Sequence, residues 1–493
     1  MRQVSDFAFV LFGASGDLVQ RKIITALFHL LHIKKTVVRF FLVGIARSEY
    51  DDVSFRKRVF DILASQKSKE ELKDVDSFLQ QIYYLKADPL KLSSFKALQS
   101  LLKSLCNRYG MQDNYMFHLA LPPDIYTSVL GHLNESGLMQ CHITPKGVCL
   151  RRIIIEKPYG ISYHSAQKID HYIRTHYKPD QIYRIDHYLG KESVQNILVF
   201  RFGNRVFEPV WNHHHIDYIE ITAVERDGVL NRAGYYEQAG ALRDMVQNHL
   251  LQLLSLVAMD PPKSFTSVSF RSEVLKILQS IIPLRNADIP SRVVRGQYIA
   301  SDIGKKGYRS EEFVDKHSRI ETYVALKLYI DNDRWNGVPF ILRTGKAMPS
   351  KVSEIVIHFK PTAHPIFCLC CNQISQKLII RIDPDEGTLL EFVMKEPGVG
   401  FNMQPVAMNF QYAKNNEGLI LSPYERLMYD CMQGDSTFFS QSEELMTCWE
   451  LVNPILSYWQ THKELPLYGY PVGSWGPLAS SQLLPLGATW TNP

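Results

Sequence analysis

The first continuous apolar run, Phe7 to Phe12, shows no polar alternation and so predicts a strand covered on both faces. Gly13 to Asp17 then turns the chain into a helical pattern that starts near Leu18 and carries Ile23, Ile24, Leu27 and Leu31. A second buried strand is predicted at Phe40 to Ile45. Strand, glycine turn, helix and strand make a βαβ unit. Its right-handed crossover puts the first turn at the carboxyl end of the sheet, where such folds bind ligands.

Amphipathic helical stretches at Phe55 to Leu79 and Leu92 to Leu105 lead to strands at Tyr115 to Leu119, closed by Pro122 and Pro123, and at Ile153 to Ile155. Further on the texture changes. Ile216 to Val224, Glu321 to Ile330, Ser353 to Phe359, Lys377 to Ile382 and Thr388 to Met394 read as strands, often alternating, and few are separated by helix-length segments. The expected class is therefore α/β: a Rossmann-like, doubly wound dinucleotide-binding domain over residues 1–185, then an α+β domain over 186–493 with a large, mainly antiparallel sheet.

Composition narrows the partners. The 55 Lys and Arg against 50 Asp and Glu leave +5 spread along the chain, so no basic stripe suited to nucleic acid is evident. No apolar run approaches the ~18 residues of a membrane span. The start lacks the form of a signal peptide, and a cytoplasmic enzyme is expected. Eight cysteines in 493 residues do not form a disulfide framework. Cys368, Cys370 and Cys371 lack a second CxxC or a nearby histidine pair, so no metal is expected there. Asn212-His213-His214-His215 matches no known motif, and adjacent strand residues point to opposite faces.

Gly13-Ala14-Ser15-Gly16-Asp17-Leu18 is only part of a GxGxxG fingerprint, but its place between first strand and first helix suits a pyrophosphate. At the end of the second strand, where NAD-binding proteins carry an acid for the ribose 2′-hydroxyl, the chain reads Gly44-Ile45-Ala46-Arg47-Ser48. A guanidinium there favours a 2′-phosphate, and hence NADP, with NAD a weaker alternative. Arg184-Ile185-Asp186-His187-Tyr188-Leu189-Gly190-Lys191-Glu192 packs four kinds of functional group beside a glycine, as a pocket wall would. Arg243 to His249 opens a strongly apolar helix. On an α-helix Asp244 and His249 would lie about 140° apart, so spacing alone makes no dyad, and an isolated His beside a Leu run is more often a core residue.

Those motifs, with Glu156-Lys157-Pro158, Gln247-Asn248-His249-Leu250, Arg343-Thr344-Gly345-Lys346-Ala347, Tyr424-Glu425-Arg426-Leu427 and Gly473-Ser474-Trp475-Gly476-Pro477, resemble the glucose-6-phosphate dehydrogenase family in the same order along almost the whole chain, in a bacterial-type pattern. The nine-residue stretch from Arg184 to Glu192 is the most specific. The resemblance implies oxidation of glucose 6-phosphate at C1 to the 1,5-lactone, the first step of the oxidative pentose phosphate route, with hydride passing to NADP. His249 matches the general base and Asp186 the carboxylate that orients it. His187, Tyr188 and Lys191 match the phosphate site. Glu225, Asp244, Lys346 and Lys351 match groups around the sugar hydroxyls and phosphate side, and Lys157 matches a lysine bridging substrate and coenzyme. Gly13, Ser15, Gly16, Asp17, Leu18, Arg47, Ser48, Pro122 and Lys157 form the implied coenzyme set. A homodimer or a dimer of dimers, packed through the second domain's sheet, is implied as well.

Two positions depart from the family pattern. Asp383, in Arg381-Ile382-Asp383-Pro384-Asp385-Glu386, stands where the family commonly has glutamine, and receives no ligand role. Glu391 stands where animal members carry a lysine for a second, structural NADP, which argues against that coenzyme. Two other functions fit parts of the pattern: a relative of glucose-fructose oxidoreductase or inositol dehydrogenase, which need not bind phosphate, and a silent NADP-binding sensor.

Overall fold

The structure, a computed structural model, describes residues 4–37, 39–141, 143–144, 147–148, 150–301, 304–361, 376–400, 402–412 and 421–492. Cys368, Cys370 and Cys371 lie outside them. The chain divides into two compact units, Met1–Gly190 with Leu421–Ser442, and Lys191–Ile420 with Glu443–Pro493.

The first unit is built on six parallel strands: β1 (Phe7–Phe12), β2 (Phe40–Ala46), β3 (Ile82–Lys86), β4 (Tyr115–Leu119), then, beyond a small hairpin of β5 (Ile143–Thr144) and β6 (Gly147–Val148), β7 (Arg151–Ile155) and β8 (Ile182–Arg184). Their order is β3-β2-β1-β4-β7-β8. Every residue of β1 and β2 is buried, as unbroken apolar runs require when helices cover both sheet faces. The order reverses at β1, which pairs with β2 on one side and β4 on the other, and a crevice at such a reversal is the usual ligand site of an open parallel sheet.

A single cut in the sequence near residue 185 does not describe this unit fully, because Leu421–Ser442 returns to it. The helix Pro423–Gln433 buries Leu427, Met428, Cys431 and Met432 in the same core as Phe7, Phe9 and Leu42. Its last carbonyls, of Cys431 and Met432, accept from Arg152 Nη1 at 2.6 and 2.8 Å, a cation at the negative end of the helix.

The second unit holds a nine-stranded sheet of β9 (Ile216–Val224), β10 (Val293–Ile299), β11 (Tyr323–Leu328), β12 (Phe340–Gly345), β13 (Val352–Phe359), β14 (Lys377–Asp383), β15 (Gly387–Lys395), β16 (Met403–Gln411) and β17 (Tyr468–Pro471). The order is β16-β15-β14-β13-β9-β12-β11-β10-β17, and pairing is antiparallel except for β9 with β12 and β10 with β17. Strands β9, β12 and β13 are almost wholly buried, whereas β16 exposes residues along both faces. Among the described residues no helix is long and apolar enough to cross a membrane.

Candidate functional site

In the first unit the glycine turn sits at the carboxyl end of β1. Gly13 adopts φ +77°, and a Cβ there would come within 2.2 Å of the Ala120 carbonyl oxygen, so only glycine fits between the ends of β1 and β4. The N–H groups of Gly13 and Ala14 donate to the Ile45 carbonyl at 2.9 and 3.1 Å, tying the turn to the end of β2. Ser48 Oγ donates to Ser15 Oγ at 2.9 Å, which locks the two candidate serines together. Tyr84 then donates to the Ser48 carbonyl at 2.8 Å and holds that loop from β3. Gly16, Asp17, Arg47 and Pro122 are exposed around this rim and Leu18 is half-buried, with Asp17 paired to Arg21 at 2.7 Å. The residues fit a dinucleotide: a glycine cradle, two hydroxyls and an exposed guanidinium at the switch point.

Lys157 follows β7 and is half-buried. Its neighbour Glu156 anchors that strand end: His118 Nε2 lies 2.8 Å from Oε1, Tyr424 donates to Oε2 at 3.2 Å, and Tyr126 donates to the Glu156 carbonyl at 2.8 Å. This buried network escaped sequence reasoning, because its members come from three separate stretches, around residues 118–126, 156 and 424. Beyond β8, Asp186 is buried and its Oδ1 accepts the Tyr188 N–H at 3.0 Å, folding the next residues into a tight turn. His187 is half-buried and Tyr188 buried, their rings 5.0 Å apart. Gly190 ends the turn against Pro423, whose carbonyl oxygen would lie 2.5 Å from any Cβ.

The second unit carries the remaining candidates. His249 is fully buried, and Asp244 nearly so, on a segment, Leu242–Leu250, that is π-helical rather than α-helical. Hydrogen bonds from residue i to i+5 bring positions five apart closer to one face, so the wide α-helical separation of Asp244 and His249 does not apply. Gly240, at φ +65° and ψ 173°, breaks the chain just before this segment. There Glu321 Oε1 accepts the Leu242 N–H at 3.1 Å, at the positive end of the His249 helix. Burial nevertheless pushes the Glu321 carboxyl above its ordinary range. Tyr235 donates to Asp244 Oδ1 at 3.1 Å, and burial with the Asp244 charge pushes this phenol far up, keeping it a donor.

Lys346, at the end of β12, pairs with Glu225 at the end of β9, as parallel pairing of the two strands brings about. Its Nζ also lies 5.1 Å from the Tyr236 ring centroid. Lys191 and Lys351 both reach Asp383 Oδ2, at 3.2 and 2.8 Å. Asp383, given no role from sequence, is therefore the group that joins two candidate lysines; its only sequence signal is the departure from glutamine. Glu391 pairs with Lys377 at 3.4 Å across β14 and β15. His213 and His214 line a separate cleft of about 830 Å³ with Glu208, Asp260 and Arg334.

Two family descriptions match almost the whole chain: the glucose-6-phosphate dehydrogenase NAD binding domain over residues 10–196 and the glucose-6-phosphate dehydrogenase C-terminal domain over 198–491. The chain belongs to the glucose-6-phosphate dehydrogenase family. It is 42% identical to the glucose-6-phosphate 1-dehydrogenase of Aggregatibacter actinomycetemcomitans over 98% of this chain and 97% of that one. With the enzyme of Treponema pallidum (strain Nichols) the identity is 40%, covering 99% and 96%. A solved glucose-6-phosphate dehydrogenase in complex with its substrate glucose-6-phosphate superposes with TM-score 0.89 at 31% identity and full coverage of both chains. As a glucose-6-phosphate dehydrogenase family member the protein is an oxidoreductase, with the parallel-sheet unit as its NAD(P)-binding part.

Proposed function

We propose that the protein oxidises D-glucose 6-phosphate at C1 to 6-phosphoglucono-1,5-lactone with NADP. The observation that carries this reading is the pairing of full-length family membership with a dinucleotide cradle at the β1/β4 switch point. Bound NADP supplies the hydride acceptor. Gly13, Ser15, Gly16, Asp17, Leu18, Ser48 and Pro122 hold the dinucleotide and Arg47 its 2′-phosphate, a role its exposed position beside Ser48 supports. Lys157 bridges coenzyme and sugar. His187, Tyr188, Lys191 and Lys351 take the substrate phosphate, while Glu225, Asp244 and Lys346 take sugar hydroxyls.

His249 receives the C1 hydroxyl proton at one imidazole nitrogen as the hydride departs, so C1 loses two electrons and two hydrogens and becomes the lactone carbonyl. Asp186 is its orienting carboxylate, accepting from the other nitrogen and stabilising the imidazolium. These roles rest on the motif match. The protein works in the cytoplasm, consistent with buried free thiols at Cys106, Cys431 and Cys448. It assembles as a homodimer or dimer of dimers through the second unit's sheet, where Met394, Met408 and Phe410 on β15 and β16 are exposed.

Initial rates of nicotinamide reduction, with glucose 6-phosphate or free glucose against NADP or NAD, test the reading. Glucose 6-phosphate with NADP is expected to give by far the highest kcat/KM. A preference for free glucose would favour the glucose-fructose oxidoreductase type, and no turnover with any pair would favour a silent sensor.

A further inference from the structure

Lys191 immediately precedes the helix Glu192–Phe202 and is 9% exposed. Its Nζ donates to the Ile382 carbonyl at 3.2 Å and lies 3.2 Å from Asp383 Oδ2. Lys351 approaches the same oxygen, at 2.8 Å, from the residue before β13. Two ammonium groups from distant parts of the chain thus share one carboxylate oxygen at the end of β14. The next turn contributes Glu386, whose Oε2 accepts the Ser193 N–H at 3.0 Å. The positive end of the helix is therefore already capped by a carboxylate, so an anion arriving here is held chiefly by the lysine side chains.

We infer that Asp383 is the affinity-setting residue of this lysine pair, an internal counter-anion that holds the two ammonium groups on one point and competes with the phosphoryl group for them. The inference rests on the proposed assignment of Lys191 and Lys351 to the substrate phosphate. Without a counter-anion the two ammonium groups, one buried at Lys191 and one exposed at Lys351, would repel each other at this separation. Asp383 brings the formal charge of these three side chains to +1, against which a phosphoryl dianion binds less tightly than against +2. Burial raises the Asp383 carboxyl, but hydrogen bonds and charge from Lys351 and Lys191 outweigh it and hold the group below its ordinary range, so the competitor stays ionised at neutral pH.

The consequence for catalysis follows from the phosphate being a bystander. Substrate and lactone carry the same group, and binding both equally does nothing for the chemical step while slowing product departure. A carboxylate that weakens this uniform binding raises KM and leaves the site less easily blocked by inorganic phosphate. A glutamine at the same place would offer no such competing charge.

Steady-state kinetics of the full chain as wild type, Asp383→Asn and Asp383→Glu test this, with inorganic phosphate as inhibitor competitive with glucose 6-phosphate. Asp383→Asn is expected to lower both KM for glucose 6-phosphate and the inhibition constant of phosphate about three- to tenfold, the effect of one partly screened charge, and Asp383→Glu to restore values near wild type. Should Asp383→Asn fail to fold, judged by thermal melting, Asp383→Ser removes the same charge and reads the same sign. A rise in both constants would mean that the carboxylate only organises the lysines, and unchanged constants would mean that its charge does not reach the phosphate; either overturns the inference. Lys351→Ala separates this from the underlying reading. If that variant leaves phosphate inhibition untouched, the assignment of the lysine pair to phosphate is what fails.

Discussion

His249 has no exposed surface, and its own N–H is taken by the Asn248 side-chain oxygen at 2.6 Å, so the residue is fixed by its segment rather than by solvent. His249→Asn is expected to lower kcat by about two to four decades with KM for glucose 6-phosphate near normal, as loss of a positioned proton acceptor does. A variant that keeps most of its turnover would place the base elsewhere. A second residue-scale effect concerns Glu354, buried on β13 with Oε1 lacking a hydrogen-bond partner among the described residues. Burial first, and the Glu220 charge second, push its carboxyl up from 4.5 to about 7. The folded state therefore holds this proton more tightly than the unfolded chain. Its stabilising contribution is complete below pH 4.5 and is lost as pH rises through about 7. Glu354→Gln should accordingly gain stability relative to wild type between pH 5 and 8, by at most about 3 kcal/mol. Urea melts at the two pH values measure the gap; a gap that does not change with pH would show that Glu354 does not titrate there.

At the scale of elements, the helix Pro423–Gln433 shows how a distant segment completes the first unit. Ser422 caps its start by accepting the Glu425 N–H, Arg152 holds its last carbonyls, and Leu427 on its inner face is fully buried. Leu427→Ala is expected to destabilise the protein by about 2 to 5 kcal/mol, the usual range for a core leucine, and to lower Tm measurably in a thermal scan. A shift under one degree would mean that the core collapses around the lost methyls. Gly190 belongs to the same packing, since a side chain there would run into Pro423 and Leu427. Glycine in the Arg184 to Glu192 motif is thus explained by a helix more than two hundred residues away, a reason that no local pattern contains.

For the whole molecule, the outer ribbon of β15 and β16 leaves apolar side chains exposed beside charged ones such as Lys395. Sedimentation equilibrium at micromolar concentration is expected to return twice or four times the 56.8 kDa chain mass. A mass of one chain would overturn the proposed assembly and leave that ribbon without its partner. Much of the architecture was legible beforehand. The buried strands β1 and β2 stand out as unbroken apolar runs, as a strand covered on both faces favours, and β4, β9 and β13 as apolar-rich stretches in which single polar residues such as His118, Glu220 and Glu354 are buried as well. The glycine turn was legible as well, since φ +77° beside a neighbouring carbonyl excludes other residues. Short or mixed strands such as β3, β8, β12 and β17 gave no such signal; their place depends on neighbours that pair with them. Tertiary structure alone decided the return of Leu421–Ser442, the meeting of Lys191 and Lys351 on Asp383, and the π-helical turn carrying His249. For the first two the physical reason is shared: burial and turn chemistry act on consecutive residues and are written along the chain, whereas pairing and charge compensation join residues whose separation in sequence carries no information about their distance in space; the π-helical segment is a choice of backbone hydrogen bonding that the order of side chains does not display.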